Sequence, residues 1–266
     1  MYSKKLLFLI GSMLMCVTLL SCSSDDDNEN KVNLSPISLY VDEETHVAGT
    51  STLKSQNDFV AMTSGNTVKG FHVGETYVAT DKNERIPVEV KGKYNTYQEP
   101  ITEWGCNRSY VQGKQTQGTL SSRSDEKSLI YENVGHASML MYSFEGNKLK
   151  SIGSVVSTSY TEEFASYLAE RFLMTSYEKD NDTYFIGIDG LKVEDAKTAV
   201  VLQVYNSNYL IAVYMPVKDY SSSSKQLRSS VLNATKLLKQ MDIVKPSKDD
   251  GGSFANKLLL QSYFAK

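Results

Sequence analysis

The apolar periodicity of this chain changes once, at Lys91-Gly92-Lys93, and that change restricts the folds open to it. Before the change, Ile37, Leu39 and Val41 alternate with Ser38, Tyr40 and Asp42, and Ile86, Val88 and Val90 alternate in the same way. A period of two places one face of a strand in a core. Phe59-Val60-Ala61-Met62, Val68-Lys69-Gly70-Phe71 and Tyr77-Val78-Ala79 read as further short strands, with turn signals at Gly65-Asn66 and Gly74 between them. Short strands punctuated in this way predict a β-sandwich. After the change, helical and strand patterns alternate. The fold expected is mixed: a small all-β sandwich followed by an α+β domain with helices on an antiparallel sheet.

In the second unit, Thr96 and Glu99 form a capping-box pattern, with Pro100 tolerated in a first turn. They predict a helix carrying Ile101 and Trp104 and stopping at Gly105. Val111 marks a short second helix, and Gln112 to Glu126 reads as a loop. Strands are expected at Leu129–Val134, Met139–Phe144 and Leu149–Val156, with Glu145-Gly146-Asn147 as a hairpin turn. Ser159 and Glu162 repeat the capping pattern. They predict a helix to about Leu173 with Tyr160, Phe164, Tyr167, Leu168 and Phe172 near one face. Strands follow at Tyr184–Ile188, Ala199–Tyr205 and Tyr209–Val217, the last two joined through Asn206-Ser207-Asn208. Helix-then-strands therefore occurs twice. Further on, Leu227, Val231, Ala234, Leu238 and Met241 form an apolar stripe, and Phe254 to Phe264 reads as a final helix.

The N-terminus predicts an address. Lys4 and Lys5 precede the uncharged run Leu6 to Leu20, which falls short of the about 20 apolar residues a membrane span needs and fits a secretory signal. Leu19-Leu20-Ser21-Cys22 resembles the lipobox of bacterial lipoproteins, which implies cleavage before Cys22 and acylation of its sulfur. Ser23, Ser24, Asp25, Asp26 and Asp27 resemble the acidic export signal of Bacteroides-type surface lipoproteins. The two resemblances imply a protein held on the outer membrane by lipid and facing the cell exterior. Several acyl chains, at about 0.8 kcal/mol per buried methylene, anchor stably. With Cys16 removed and Cys22 acylated, Cys106 stands alone and no internal disulfide can form, so the fold rests on packed cores. Loss of Lys4 and Lys5 takes the formal net charge from -3 to -5. A mildly acidic chain has no electrostatic case for nucleic acid.

The stretch NDFVAMTSGNTVKGFHVGETYVAT is similar to the second half of a bacterial Ig-like domain of the Big2 type, with Phe59-Val60-Ala61, Val68, Gly70 and Gly74 at the family's positions. That resemblance implies a spacer or adhesive module. Glu99-Pro100, Trp104-Gly105 and Val111, with the repeated order of helix and strands, resemble the β-lactamase-inhibitor-like and SmpA-like repeats, which place helices on one face of an antiparallel sheet. The division expected is a signal at 1–21, a lipidated acidic tether at 22–33, an Ig-like sandwich at 34–92, the α+β domain at 93–245, and a linker with a C-terminal helix at 246–266.

No catalytic motif stands out. His46, His72 and His136 lack a metal-binding spacing, and no second cysteine supports zinc. Cys106 and His136 could form a nucleophile pair, but no local cysteine signature supports one, and a lone cysteine is more often a small buried hydrophobe. Asp180-Asn181-Asp182 opens like a calcium loop, but Phe185 and Leu191 stand where glycine and glutamate are needed. Glu162 and Glu163 suit a helix start. No cofactor is expected. Among 17 tyrosines, Tyr205, Tyr209 and Tyr214 flank one hairpin and form the aromatic candidate for binding a sugar or a protein. The function expected is binding or adhesion, to protein or glycan. A glycan hydrolase with unrecognised carboxylates and an envelope assembly factor are the alternatives.

Overall fold

The computed structural model describes residues 32–179, 182–219 and 251–264. The expected signal, Cys22, the residues Ser23 to Asp27 and the stripe from Leu227 to Met241 lie outside them.

The first unit builds two sheets on one core. Strands β1 (Ile37–Tyr40), β3 (Leu53–Ser55), β6 (Gly74–Thr80) and β7 (Arg85–Lys91) form one sheet in the order β1-β7-β6-β3. Strands β2 (Glu44–His46), β4 (Ala61–Ser64) and β5 (Thr67–Gly70) form the other, in the order β2-β5-β4. The pairing of β1 with β7 is parallel, and the other pairings in this unit are antiparallel. Along β7 the side chains alternate strictly between exposed and buried, with Ile86, Val88 and Val90 inside, as the period of two demands. Leu39, Leu53, Ala61, Val68 and Val78 reach the same core from both sheets.

The second unit is one eight-stranded antiparallel sheet. Its first half is α1 (Arg108–Lys114), β8 (Thr119–Leu120), β9 (Ser128–Val134), β10 (Ala137–Glu145) and β11 (Lys148–Ser157). Its second half is α2 (Thr161–Ala169), β12 (Leu173–Lys179), β13 (Asp182–Ile188), β14 (Thr198–Val204) and β15 (Tyr209–Pro216). The strand order β12-β13-β14-β15-β11-β10-β9-β8 reads the same from either edge, because the last strands of the two halves pair antiparallel at the centre. The repeat of helix and strands thus appears as a topological two-fold. Gly146 and Asn147, at φ 54° and 60°, make the two-residue β10–β11 turn, and positive φ at both positions is the type I′ geometry that follows the twist of the strands.

A third helix, α3 (Gly251–Phe264), joins α1 and α2 on one face, where Val111, Phe164, Leu168 and Leu260 pack against Leu140, Tyr142, Phe185 and Tyr214. The opposite face carries Ile130, Met141, Val155, Val201, Ile211 and Val213, all buried. The chain is therefore a β-rich mixed α+β protein.

Three local expectations are corrected. No helix forms between Thr96 and Gly105. The residue before a proline is pushed away from helical backbone, and the capping groups are taken by tertiary partners. The Thr96 hydroxyl donates to Glu163, its carbonyl accepts the N–H of His136, and Tyr97 and Ile101 enter the core. Residues 94–106 run as a strap over the sheet instead. The helix begins at Arg108, capped by Asn107, whose Oδ1 accepts the Tyr110 N–H at 2.8 Å. Secondly, α2 ends at Ala169 rather than near Leu173. Leu173 opens β12, a strand the helical pattern concealed, and pairs with Ile188. Thirdly, the side-chain cap ahead of α2 comes from Ser157, which accepts the Ser159 N–H, and not from Ser159.

Candidate functional site

The strap forms one wall of a cleft of 920 Å³. Gln98, Glu99, Thr102, Glu103 and Trp104 come from the strap, Lys114 from the last turn of α1, Ala196 and Lys197 from the entry to β14, and Lys218 from the 3-10 turn after β15. The wall is held at several points. Trp104 donates its indole N–H to the hydroxyl of Thr198 at 3.2 Å. The Gly105 N–H donates to the carbonyl of Leu149, and the Leu149 N–H returns to the carbonyl of Cys106, so the strap end is stitched to β11. The amides of Gln98 and Gln115 bond each other, and the Tyr142 hydroxyl donates to Gln115 from the core.

The two carboxylates of the cleft are both engaged. Glu99 accepts from Nε of Arg171 at 2.8 Å, and that guanidinium also lies 4.0 Å from the centre of the Tyr167 ring. Glu103 accepts from the Tyr110 hydroxyl at 3.2 Å. Lys114 and Lys197 form no ion pair among the described residues. The backbone of Lys197 is pinned all the same, its N–H to Asp189 at 2.7 Å and its carbonyl to Val217.

The expected aromatic trio does not form one surface. Tyr214 is buried on the helix-bearing face of the sheet, and burial pushes its phenol well above its ordinary range. Tyr205 packs against the apolar cluster of the opposite face, and Tyr209 is partly exposed at the start of β15. Successive side chains on a strand face opposite ways, so residues on one hairpin need not share a surface.

No hydrogen bond joins Cys106 to His136 among the described residues. Burial raises the Cys106 thiol, which opposes the thiolate a nucleophile needs. His136 bonds Glu163 through Nδ1 at 3.0 Å and stacks on Tyr160 at 4.3 Å. Glu163 thereby ties the strap, the β9–β10 turn and α2 together. His46 bonds Thr67, and His72 bonds the carbonyl of Phe59. Of the calcium-like triplet, Asp180 and Asn181 lie outside the described residues, and Asp182 opens β13 opposite Lys179. Among the described residues no group of three or more His, Cys, Asp or Glu could hold a metal, and no helix is long and apolar enough to cross a membrane.

Sequence reasoning missed the cleft because it wound Trp104 into a helix. The usable signal was the chain's single tryptophan, set among Glu99, Pro100, Thr102 and Glu103 in a segment with proline near its centre. Compared with protein-family models, curated proteins and solved structures, this chain has no match.

Proposed function

We propose that this chain is a surface lipoprotein of the outer membrane that binds a protein or glycan and does not catalyse a reaction. In this reading Cys22 carries the lipid, Ser23 to Asp27 direct the protein outward, and the first unit is an Ig-like spacer of the Big2 type. The eight-stranded unit, similar to the β-lactamase-inhibitor-like and SmpA-like repeats, presents the cleft.

The observation that carries the reading is the composition of the cleft. It joins an orientation-fixed tryptophan to charged and amide groups around a large open volume, which suits recognition. A glycan hydrolase needs one carboxyl as acid and another as base or nucleophile across the scissile bond. Glu99 and Glu103 are the carboxylates available, and Arg171 and Tyr110 already hold them.

Trp104 is the only tryptophan, so its emission reports on the cleft directly. The test is a fluorescence titration of the full chain in detergent with glycans and envelope proteins, alongside assays for glycan cleavage. The reading expects ligands that shift the emission and leave the reaction mixture uncleaved. Turnover abolished by Glu103→Gln would overturn it.

A further inference from the structure

We infer that the ligand of the Trp104 cleft is an anionic glycan, one carrying uronate or sulfate groups; the inference rests on the binding reading above and names its ligand. The first support is charge. The Glu99 carboxylate is matched by Arg171 at 2.8 Å, which leaves Glu103 as the single uncompensated carboxylate of the cleft. Against it stand Lys114 and Lys197, both exposed and without an ion-pair partner among the described residues. Lys114 lies 5.9 Å from the centre of the Tyr110 ring, a contact that leaves its charge uncompensated. Two ammoniums in one cleft without a carboxylate partner raise the local concentration of an anion and orient it.

The second support is the aromatic ring. Trp104 is half-buried, and its N–H is committed to Thr198 at 3.2 Å, so the indole is held before any ligand arrives. A preset ring offers contact area to the flat face of a sugar at little entropic cost.

The third support separates a glycan from an acidic peptide. An extended peptide gains its affinity from main-chain bonds to an open strand edge. The strap offers no such ladder. The N–H of Ile101 is placed on the Tyr142 hydroxyl, that of Trp104 on Thr102 and that of Gly105 on Leu149. Apart from isolated main-chain groups, what the cleft offers a ligand is side-chain chemistry, suited to hydroxyl and acid groups on rings.

The experiment titrates the full chain with four hexamers and reads Trp104 emission: oligogalacturonate, chondroitin sulfate, cellohexaose and hexaglutamate. The inference expects the two anionic glycans to bind, and to bind roughly tenfold more weakly to the double variant K114Q/K197Q, since each exposed charge pair contributes modestly. Both lysines are exposed, so the variant should melt as wild type does. Equal binding of cellohexaose, unmoved by the double variant, would overturn the anionic ligand and leave the binding reading intact. Stronger binding of hexaglutamate than of either anionic glycan would replace the glycan with an acidic peptide. Silence of Trp104 toward all four would overturn this inference, and silence also toward envelope proteins and other glycans would overturn the reading beneath it.

Discussion

The carboxylate of Glu170 accepts the backbone N–H of Lys93 at 2.9 Å, across the point where the chain passes from its first unit to its second. It also accepts from the Tyr94 N–H at 3.1 Å and from Arg171 at 3.4 Å, while the Glu170 carbonyl takes the N–H of Val73. The side chain is only 7% exposed. Gly92 passes so close that a Cβ there would lie 2.8 Å from the same carboxylate. The expected boundary at 92/93 therefore runs beneath a buried acid.

Glu170→Ala strands two backbone N–H groups and takes one carboxylate from a guanidinium that is 10% exposed, leaving it Glu99 and the Tyr167 carbonyl. It should destabilise the chain by about 3 kcal/mol, the scale for breaking a buried charged contact. Glu170→Gln keeps an accepting oxygen and should cost less. Urea unfolding of the three proteins checks the order. A fragment beginning at Tyr94 lacks Lys93 and Val73; it should still unfold cooperatively, at a lower urea midpoint than the intact chain.

His72 should make stability depend on pH. Burial lowers its imidazole, opposed by the Phe59 carbonyl and by the charge of Asp42. A histidine lowered in the folded state binds its proton more readily when unfolded. Its neutral-state stability is thus complete above the unfolded value of about 6.5 and falls as pH drops toward the folded value. The ring stacks on Phe59 at 3.9 Å, so His72→Phe preserves the stack while removing the titration. Thermal melts between about pH 7.5 and pH 5 should fall more steeply for wild type than for the variant.

Gly135 and Gly146 are both left-handed, at φ 58° and 54°, and only one is crowded. A Cβ at Gly135 would meet the carbonyl oxygen of Thr96 at 2.2 Å, where the strap crosses the β9–β10 turn. At Gly146 nothing lies within 4 Å. Gly146→Ala should cost about 1 kcal/mol for the backbone conformation alone. Gly135→Ala should cost at least about 3 kcal/mol, because backbone must move as well. Paired denaturation curves give the difference, and a blue- or red-shifted Trp104 emission in the Gly135 variant would register displacement of the strap.

The proposed lipid anchor is open to direct test. Cys22→Ala should abolish fatty-acid labelling and release the protein from membranes. Replacing Asp25, Asp26 and Asp27 with alanine should keep the label and reduce the fraction removed by protease from intact cells. Metabolic labelling and surface shaving read the two effects separately.

Most strands are legible in the sequence. Ile86, Val88 and Val90 alternate because one face of β7 is buried and the other is wet, and the pattern is local. The hairpin turn at Gly146-Asn147 was legible for the same reason, since the residues themselves favour the backbone the turn requires. The strap was not. Thr96, Glu99 and Gly105 carry the local marks of a helix, and the partners that overrule them are Glu163, Arg171 and Leu149, distant in sequence. The cleft inherits that error, because Trp104 becomes a wall of it only once the strap is laid across the sheet.

By itself, the sequence determined the change of architecture at Lys91-Gly92-Lys93, the alternation of its strands, and the repetition of helix and strands. These follow from periodicity and composition, which each segment carries alone. Tertiary structure decided that the two halves join through β11 and β15, that Tyr214 faces the helices while Tyr205 packs on the other side, and that Glu170 closes over Lys93. Those outcomes depend on which buried polar groups find partners across the fold. A hydrogen bond left unmade in a core costs more than any local preference for helix or turn, so the distant partners prevail.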